Sequence, residues 1–258
     1  MMRLSYNSDV NPTTISRLLD LNRQFYQTFA LPFSSTRLRL QPGVQRILES
    51  ISPTENLLDL GCGNGELARR LVKNGYKGNY TGLDFSSALL EQAKTGLPSN
   101  FRFLQADLSA KDWDAPVSAN HYATILAFAV LHHLPGEDLR FQVLSKVRSL
   151  LSPGGRFTHS EWLFLNSPRL VARIQPWEAI GLSAIDVDPG DYLLDWRQGG
   201  TGLRYVHHFS EHELAQLAEA TSFEITGSFL SDGKNGRLGL YQVWRAKENP
   251  SAEAKSSL

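Results

Sequence analysis

Between residues 56 and 160 the chain alternates short apolar runs with amphipathic segments, and no other feature restricts the fold as much. Asn56 to Leu60, Tyr80 to Leu83, Phe101 to Gln105, Ala123 to Phe128 and Arg156 to Ser160 read as strands. Glu66 to Lys73, Ser86 to Lys94 and Asp138 to Leu151 read as helices between them, with Ser86 a suitable N-cap. Pro153-Gly154-Gly155 predicts a tight turn. Strands separated by helices of this length form βαβ units and a parallel sheet. Right-handed crossovers then put helices on both faces, which suits the almost wholly apolar run from Ala123 to Phe128.

The flanks are different. A helix is predicted from Pro12 to Ala30, capped by Asn11 or Thr13 and stopped by Pro32. A shorter one follows from Gly43 to Ser50. The alternation breaks near Glu161. Residues 162–208 hold three of the five tryptophans (Trp162, Trp177, Trp196), several Gly and Pro, and no clear period, so they read as a cap insertion. Ser210-Glu211-His212-Glu213 is a capping box opening a helix to Thr221. Phe223 to Leu230 and Leu238 to Trp244 then form an antiparallel pair through the loop Ser231 to Arg237. The expected organisation is an N-terminal helical extension (1–50), a parallel-sheet core (51–161), the cap (162–208), a helix and strand pair completing the core (209–247), and a disordered polar tail (248–258).

Charge and cysteine content narrow the function. Lys and Arg total 26, as do Asp and Glu, so the chain lacks the strongly basic balance of a dedicated nucleic-acid binder. A local basic patch is compatible with that neutrality. The single cysteine, Cys62, allows no internal disulfide, and no Cys/His cluster has zinc spacing, so no metal is expected. The expected location is the cytoplasm: no signal-peptide layout and no membrane-length apolar run is present.

The chemistry starts at Asp59-Leu60-Gly61-Cys62-Gly63-Asn64-Gly65. An apolar strand ends, glycines follow at every second position, and a helix begins. Glycines let the chain turn sharply and let a ligand approach the backbone. The helix N-terminus adds N–H groups and a positive dipole end. Alone, the loop fits nucleotide cofactors in general. Asp84 ends the next strand, where an acid can accept hydrogen bonds from ribose hydroxyls, or simply cap the following helix. Asp107 ends the third strand, where an acid can accept from an adenine amino group, or cap a turn. All three acids fall at carboxyl ends of parallel strands, the edge at which open α/β sheets bind ligands.

The sequence resembles the class I S-adenosylmethionine (SAM)-dependent methyltransferases. The matching segments are Leu57 to Gly65, Gly82-Leu83-Asp84-Phe85-Ser86, Gln105-Ala106-Asp107, Ala127-Phe128-Ala129-Val130-Leu131-His132-His133-Leu134, and Leu150-Leu151-Ser152-Pro153-Gly154-Gly155. The resemblance implies a Rossmann-like, doubly wound α/β sheet of seven strands, the last antiparallel, with SAM as cofactor and S-adenosylhomocysteine as product. It implies that Asp59, Gly61, Cys62, Gly63 and Gly65 hold the methionine part, Asp84 the ribose and Asp107 the adenine. Phe85 would flank the adenine, with Ser86 and Leu108 beside the two acids. The backbone near Ala127 and Phe128 would line the methionyl side. Arg37, in Phe33-Ser34-Ser35-Thr36-Arg37, would pair with the SAM carboxylate.

A closer resemblance is to the tRNA wobble-uridine carboxymethyl methyltransferases. It rests on Phe33 to Arg37, His132-His133, Gly190-Asp191-Tyr192-Leu193-Leu194-Asp195-Trp196 and Arg204-Tyr205-Val206-His207-His208-Phe209. It implies an acceptor carboxylate on an anticodon uridine and a small partner subunit. His132 or His133 could act as a base or orienting group near the transferred methyl, or serve structurally. Asp191, Trp196, Arg204, Tyr205, His207 and His208 could stack and hold a base, or form a small core beneath a lid. Tyr26 reads as a core aromatic with a wet hydroxyl. Cys62 reads as a small residue in a tight turn.

Three functions therefore compete: methylation of a carboxylate-bearing acceptor such as a modified tRNA uridine, small-molecule O- or N-methylation, and a non-catalytic SAM-binding subunit. A carboxylate is already ionised and needs no general base, whereas a hydroxyl or amine does. Membrane association is not expected.

Overall fold

The computed structural model describes residues 10–30, 32 and 39–247. Phe33 to Arg37 and the tail 248–258 lie outside the described residues. In chain order the first strands are β1 (Leu57–Leu60), β2 (Tyr80–Asp84), β3 (Phe101–Gln105), β4 (Tyr122–Phe128) and β5 (Leu151–Trp162). They are followed by β6 (Ile174–Gln175), β7 (Asp191–Trp196), β8 (Gly202–His207), β9 (Phe223–Ser231) and β10 (Gly239–Ala246). The helices are α1 (Pro12–Thr28), α2 (Pro42–Leu48), α3 (Glu66–Lys73), α4 (Ser87–Ala93), α5 (Glu137–Leu150), α6 (Pro168–Val171) and α7 (Glu211–Ala220).

Seven strands form one sheet in the order β3-β2-β1-β4-β5-β10-β9. β1 to β5 are parallel, and β10 runs antiparallel to both of its neighbours, so the last strand is the reversed one, as expected. Consecutive residues of β1 point into different cores. Leu58 packs in the cluster with Val143, Leu144 and Val147 of α5 and Leu214 and Leu217 of α7. Leu57 packs in the cluster with Val44 and Ile47 of α2, Leu67 and Leu71 of α3 and Leu90 of α4. A strand covered on both faces is nearly continuously apolar; β1 is buried throughout, and its one polar residue is Asp59 near its carboxyl end.

Local chemistry sets most boundaries. Asn11 caps α1 by accepting from the Thr13 amide at 2.9 Å, and the helix ends at Thr28, just short of Ala30. Ser86 caps α4 through the Leu89 amide at 3.4 Å. Ser210 caps α7 through the Glu213 amide at 3.1 Å. The Glu213 carboxylate turns away to His207 and Arg140. β5 begins at Leu151 rather than Arg156. The Pro153-Gly154-Gly155 turn is absorbed as a register shift against β4, with Gly154 at φ 71°.

The segment without a readable period folds into a three-stranded antiparallel sheet, β6-β7-β8, with α6 and short 3₁₀ turns around it. Leu194 pairs with Arg204 and Tyr192 with Val206, which puts these side chains on one face. Leu193 pairs with Tyr205 and Asp191 with His207 on the other. On that second face Asp191 Oδ1 accepts from the Tyr205 hydroxyl and from His207 Nδ1, both at 2.7 Å. His207 Nε2 lies 2.9 Å from Glu213. Arg140, 1% exposed, donates to Glu213 at 3.1 Å, Asp188 at 3.3 Å and the Gly136 carbonyl at 3.1 Å. This buried network ties the cap to α5 and α7. Burial works against the Arg140 charge, but Tyr205, Glu213, Asp191 and Asp188 outweigh it and raise its pKa. Among the described residues no helix is long and apolar enough to cross a membrane.

Candidate active site

The glycine loop leaves β1 along a left-handed path, with φ of 70° at Gly61, 55° at Gly63 and 79° at Gly65. Space adds a second constraint at two of them. A β-carbon on Gly61 would stand 2.6 Å from Val130 Cγ2, and one on Gly65 would stand 2.9 Å from Ala93 Cα. One on Gly63 would meet nothing within 4 Å. Gly63 therefore offers bare backbone to open space. Its amide donates to Asp84 Oδ2 at 2.9 Å, while the Ser86 amide donates to Oδ1 at 2.9 Å. Asp84 thus joins the loop to the start of α4. Burial raises its carboxyl, and backbone hydrogen bonds oppose the rise.

Asp59 is buried beneath the loop and accepts from the Tyr80 hydroxyl at 2.5 Å. Burial pushes its carboxyl up to about 7, against the Tyr80 hydrogen bond and with help from the nearby Asp84 charge. Asp107 behaves oppositely. Burial would raise it, but the Ser109 hydroxyl and amide and the Arg23 guanidinium hold it below the usual carboxylate range. Arg23 Nε donates to Asp107 at 2.9 Å, so α1 reaches across the sheet edge to the third acid.

A cavity of about 560 Å³ opens along this edge. Asp59, Gly61, Cys62, Gly63, Asp84, Phe85, Asp107, Leu108, Phe128, His132, His133, Trp196 and Arg204 line it. Gly65, Ser86 and Ala127 stand behind the lining, as the N-cap of α3, the N-cap of α4 and a fully buried position of β4. Asp191, Tyr205 and His207 lie in the buried network on the far face of the cap sheet. His208 packs its ring against Phe164, 5.4 Å away. Arg37 lies outside the described residues.

Both histidines of the doublet are engaged. His133 Nδ1 donates to the Tyr205 carbonyl at 3.3 Å, which leaves Nε2 to accept from the Tyr26 hydroxyl at 2.7 Å. Tyr26 therefore belongs to the cavity wall as well as to the aromatic core of α1. His132 Nδ1 lies 3.2 Å from one oxygen of Glu161, and His159 Nδ1 lies 2.9 Å from the other. Burial pushes the Glu161 carboxyl well above the usual range and His159 down to about 3, so His159 is uncharged at neutral pH.

Glu161, Trp162, Arg23 and Arg173 line the cavity without having been singled out in the sequence. Glu161 carried a usable signal: it lies at the carboxyl-terminal part of the parallel strand β5, as Asp59 and Asp84 do on β1 and β2. Arg173 carried none, because the cap has no period from which to place it.

The loop and acids fit a nucleoside cofactor bearing an amino acid. Gly63 presents an open cradle, Asp84 and Asp107 stand at successive strand ends, and the cavity is continuous from Phe85 to His132. Residues 34–227 match the family model described as a methyltransferase domain. The chain is 31% identical to the 27-O-demethylrifamycin SV methyltransferase of Amycolatopsis mediterranei, over 72% of this chain and 74% of the relative. It is 28% identical to the tRNA (carboxymethyluridine(34)-5-O)-methyltransferase of Schizosaccharomyces pombe, over 54% of this chain and 56% of that protein. Several curated relatives are matched over less than two thirds of their own length. The fold is shared with the Burkholderia thailandensis 1,6-didemethyltoxoflavin-N1-methyltransferase, solved with S-adenosylhomocysteine, at a TM-score of 0.62 and 20% identity over 92% of this chain and 91% of that one. With this fold, this loop and a family match over most of its length, the chain belongs to the methyltransferase-domain family and is an S-adenosylmethionine-dependent methyltransferase.

Proposed function

We propose that the chain transfers the SAM methyl group to an oxygen of a carboxylate-bearing acceptor. The observation that carries this reading is the engagement of the histidines at the cavity edge: both ring nitrogens of His133 and the Nδ1 of His132 already hold protein partners. An ionised carboxylate attacks without a base, so such fixed rings suffice. SAM, when bound, supplies an electrophilic methyl carbon on a sulfonium. With SAM held at the glycine loop, Asp84 and Asp107, a carboxylate oxygen would take the methyl carbon as the C–S bonding pair passed to sulfur, and this chain would have no proton to accept. The protein's part is alignment and exclusion of water. Tyr26 and Glu161 hold the two imidazoles, Phe85 and Phe128 bound the cofactor end, and Trp162 and Trp196 bound the acceptor end.

A carboxymethyl group on a tRNA wobble uridine supplies such an acceptor, as the name of the fission-yeast relative does for that enzyme. A small carboxylic acid is the second reading, favoured by the zero net charge of the chain. Methyl-labelled SAM incubated with bulk tRNA, with and without co-purifying small subunits, and in parallel with a small-acid extract, tests both. Label released by mild alkali identifies an ester, and the fraction carrying it identifies the acceptor. Alkali-stable label would sink the carboxylate reading.

A further inference from the structure

Charges of both signs line the cavity wall. Asp59, Asp84 and Asp107, the last bonded to Arg23, stand at the cofactor end, Glu161 lies beside His132, and Arg173 and Arg204 stand on the cap. Arg204 is 7% exposed, and its guanidinium carbon lies 4.8 Å from the ring centroid of Trp162, 5.5 Å from Phe25 and 5.6 Å from Trp196. A guanidinium is weakly hydrated, stacks on aromatic faces and stays charged when desolvated. The three rings fix where that charge sits. Trp162 continues toward the methyl-transfer edge, its ring 6.4 Å from His132.

Arg173 lines the same cavity from the segment just before β6. Its carbonyl accepts from the Asp195 amide at 3.0 Å, next to Trp196. Its side chain is half-buried, lines the cavity, and forms no hydrogen bond or ion pair with the described residues. One cation is thus held among three rings and a second lines the same concave, largely apolar cavity.

We propose that Arg173 and Arg204 form the anion clamp that recognises the acceptor carboxylate. The inference rests on the carboxylate reading given above and names the residues that read the charge. Guanidinium–carboxylate pairs are short, planar and strengthened by desolvation. Methylation converts the anion to a neutral ester, so the product loses the charge the clamp holds, which favours release after transfer.

The test uses the full chain loaded with S-adenosylhomocysteine. Propane-1,2,3-tricarboxylate, its trimethyl ester and inorganic sulfate serve as calorimetric probes. The tricarboxylate should bind more tightly than the ester. Arg173→Met and Arg204→Lys should each weaken tricarboxylate binding about tenfold or more and leave S-adenosylhomocysteine affinity unchanged. Arg204→Lys keeps the charge and guards against a folding defect, while Arg173→Met removes a half-exposed group. Saturable binding of neither anion, equal affinity for acid and ester, or variants within twofold of wild type would each overturn the clamp. The labelled-methyl assay separates the two ideas. Ester formation with undiminished anion binding in the variants sinks the clamp alone. Weakened anion binding with no alkali-labile methyl on any acceptor leaves an anion site at the two arginines but sinks the carboxylate chemistry, and with it the clamp's role in reading the acceptor.

Discussion

Arg140→Met tests whether the buried network anchors the cap to the core. Methionine keeps much of the side-chain bulk but removes the guanidinium that donates to Glu213, Asp188 and the Gly136 carbonyl. The carboxylates of Asp188, 7% exposed, and Glu213 then lose a directly bonded cation. Removing one partner of a buried ion pair costs about 3–5 kcal/mol, because the remaining charge is left uncompensated. At about 2–4 °C per kcal/mol for a domain of this size, the melting temperature should fall by roughly 6–20 °C. Asp188→Asn in the same background should recover part of the loss, because it removes the carboxylate left unpaired. Urea unfolding of the single and double variants at neutral pH measures both. A deficit below about 1 kcal/mol for Arg140→Met, or no recovery in the double variant, refutes the reasoning.

Gly61→Ala forces a β-carbon onto Val130 at φ 70°, and should lower S-adenosylhomocysteine affinity about tenfold or more by calorimetry, with Val130→Ala restoring part of it. Asp59→Asn probes the carboxyl raised to about 7. Its folded-state pKa exceeds the unfolded one, so the cofactor-free wild type loses up to roughly 4 kcal/mol as pH rises from about 4 through about 7, and the variant should show a flatter urea-stability profile. Cys62 is buried, and burial with the Asp59 and Asp84 charges pushes its thiol well above the usual range, so it should react with thiol reagents far more slowly than free cysteine.

The parts of the site built from local chemistry were legible in the sequence. Gly61, Gly63, Asp59 and Asp84 depend on a strand end, a left-handed turn and a helix start, each of which a few neighbouring residues dictate. The five parallel strands followed from the alternation for the same reason, and the C-terminal pair from its connecting loop, while the single seven-stranded sheet was what the resemblance implied. Glu161 was legible in principle, by extending to β5 the strand-end rule that found the other acids. Asp107 was found, but its bond to Arg23 was not, because that partner stands on α1, far away in sequence.

Sequence alone determined the core and a nucleotide-type cofactor site, because a period of two or of about 3.6 and a glycine spacing are properties of adjacent residues; that the cofactor is SAM came from the resemblance of the later segments in their order. Tertiary structure decided the cap. Arg204, Tyr205 and His207 are near neighbours with similar prior claims on a substrate. Strand pleat sends Arg204 to the cavity and turns Tyr205 and His207 to the opposite face, where they bind Asp191 and Glu213. That choice depends on how β6, β7 and β8 pair and on what covers each face. Both are set by contacts with α1, α5 and α7, distant in sequence, and no local pattern encodes them.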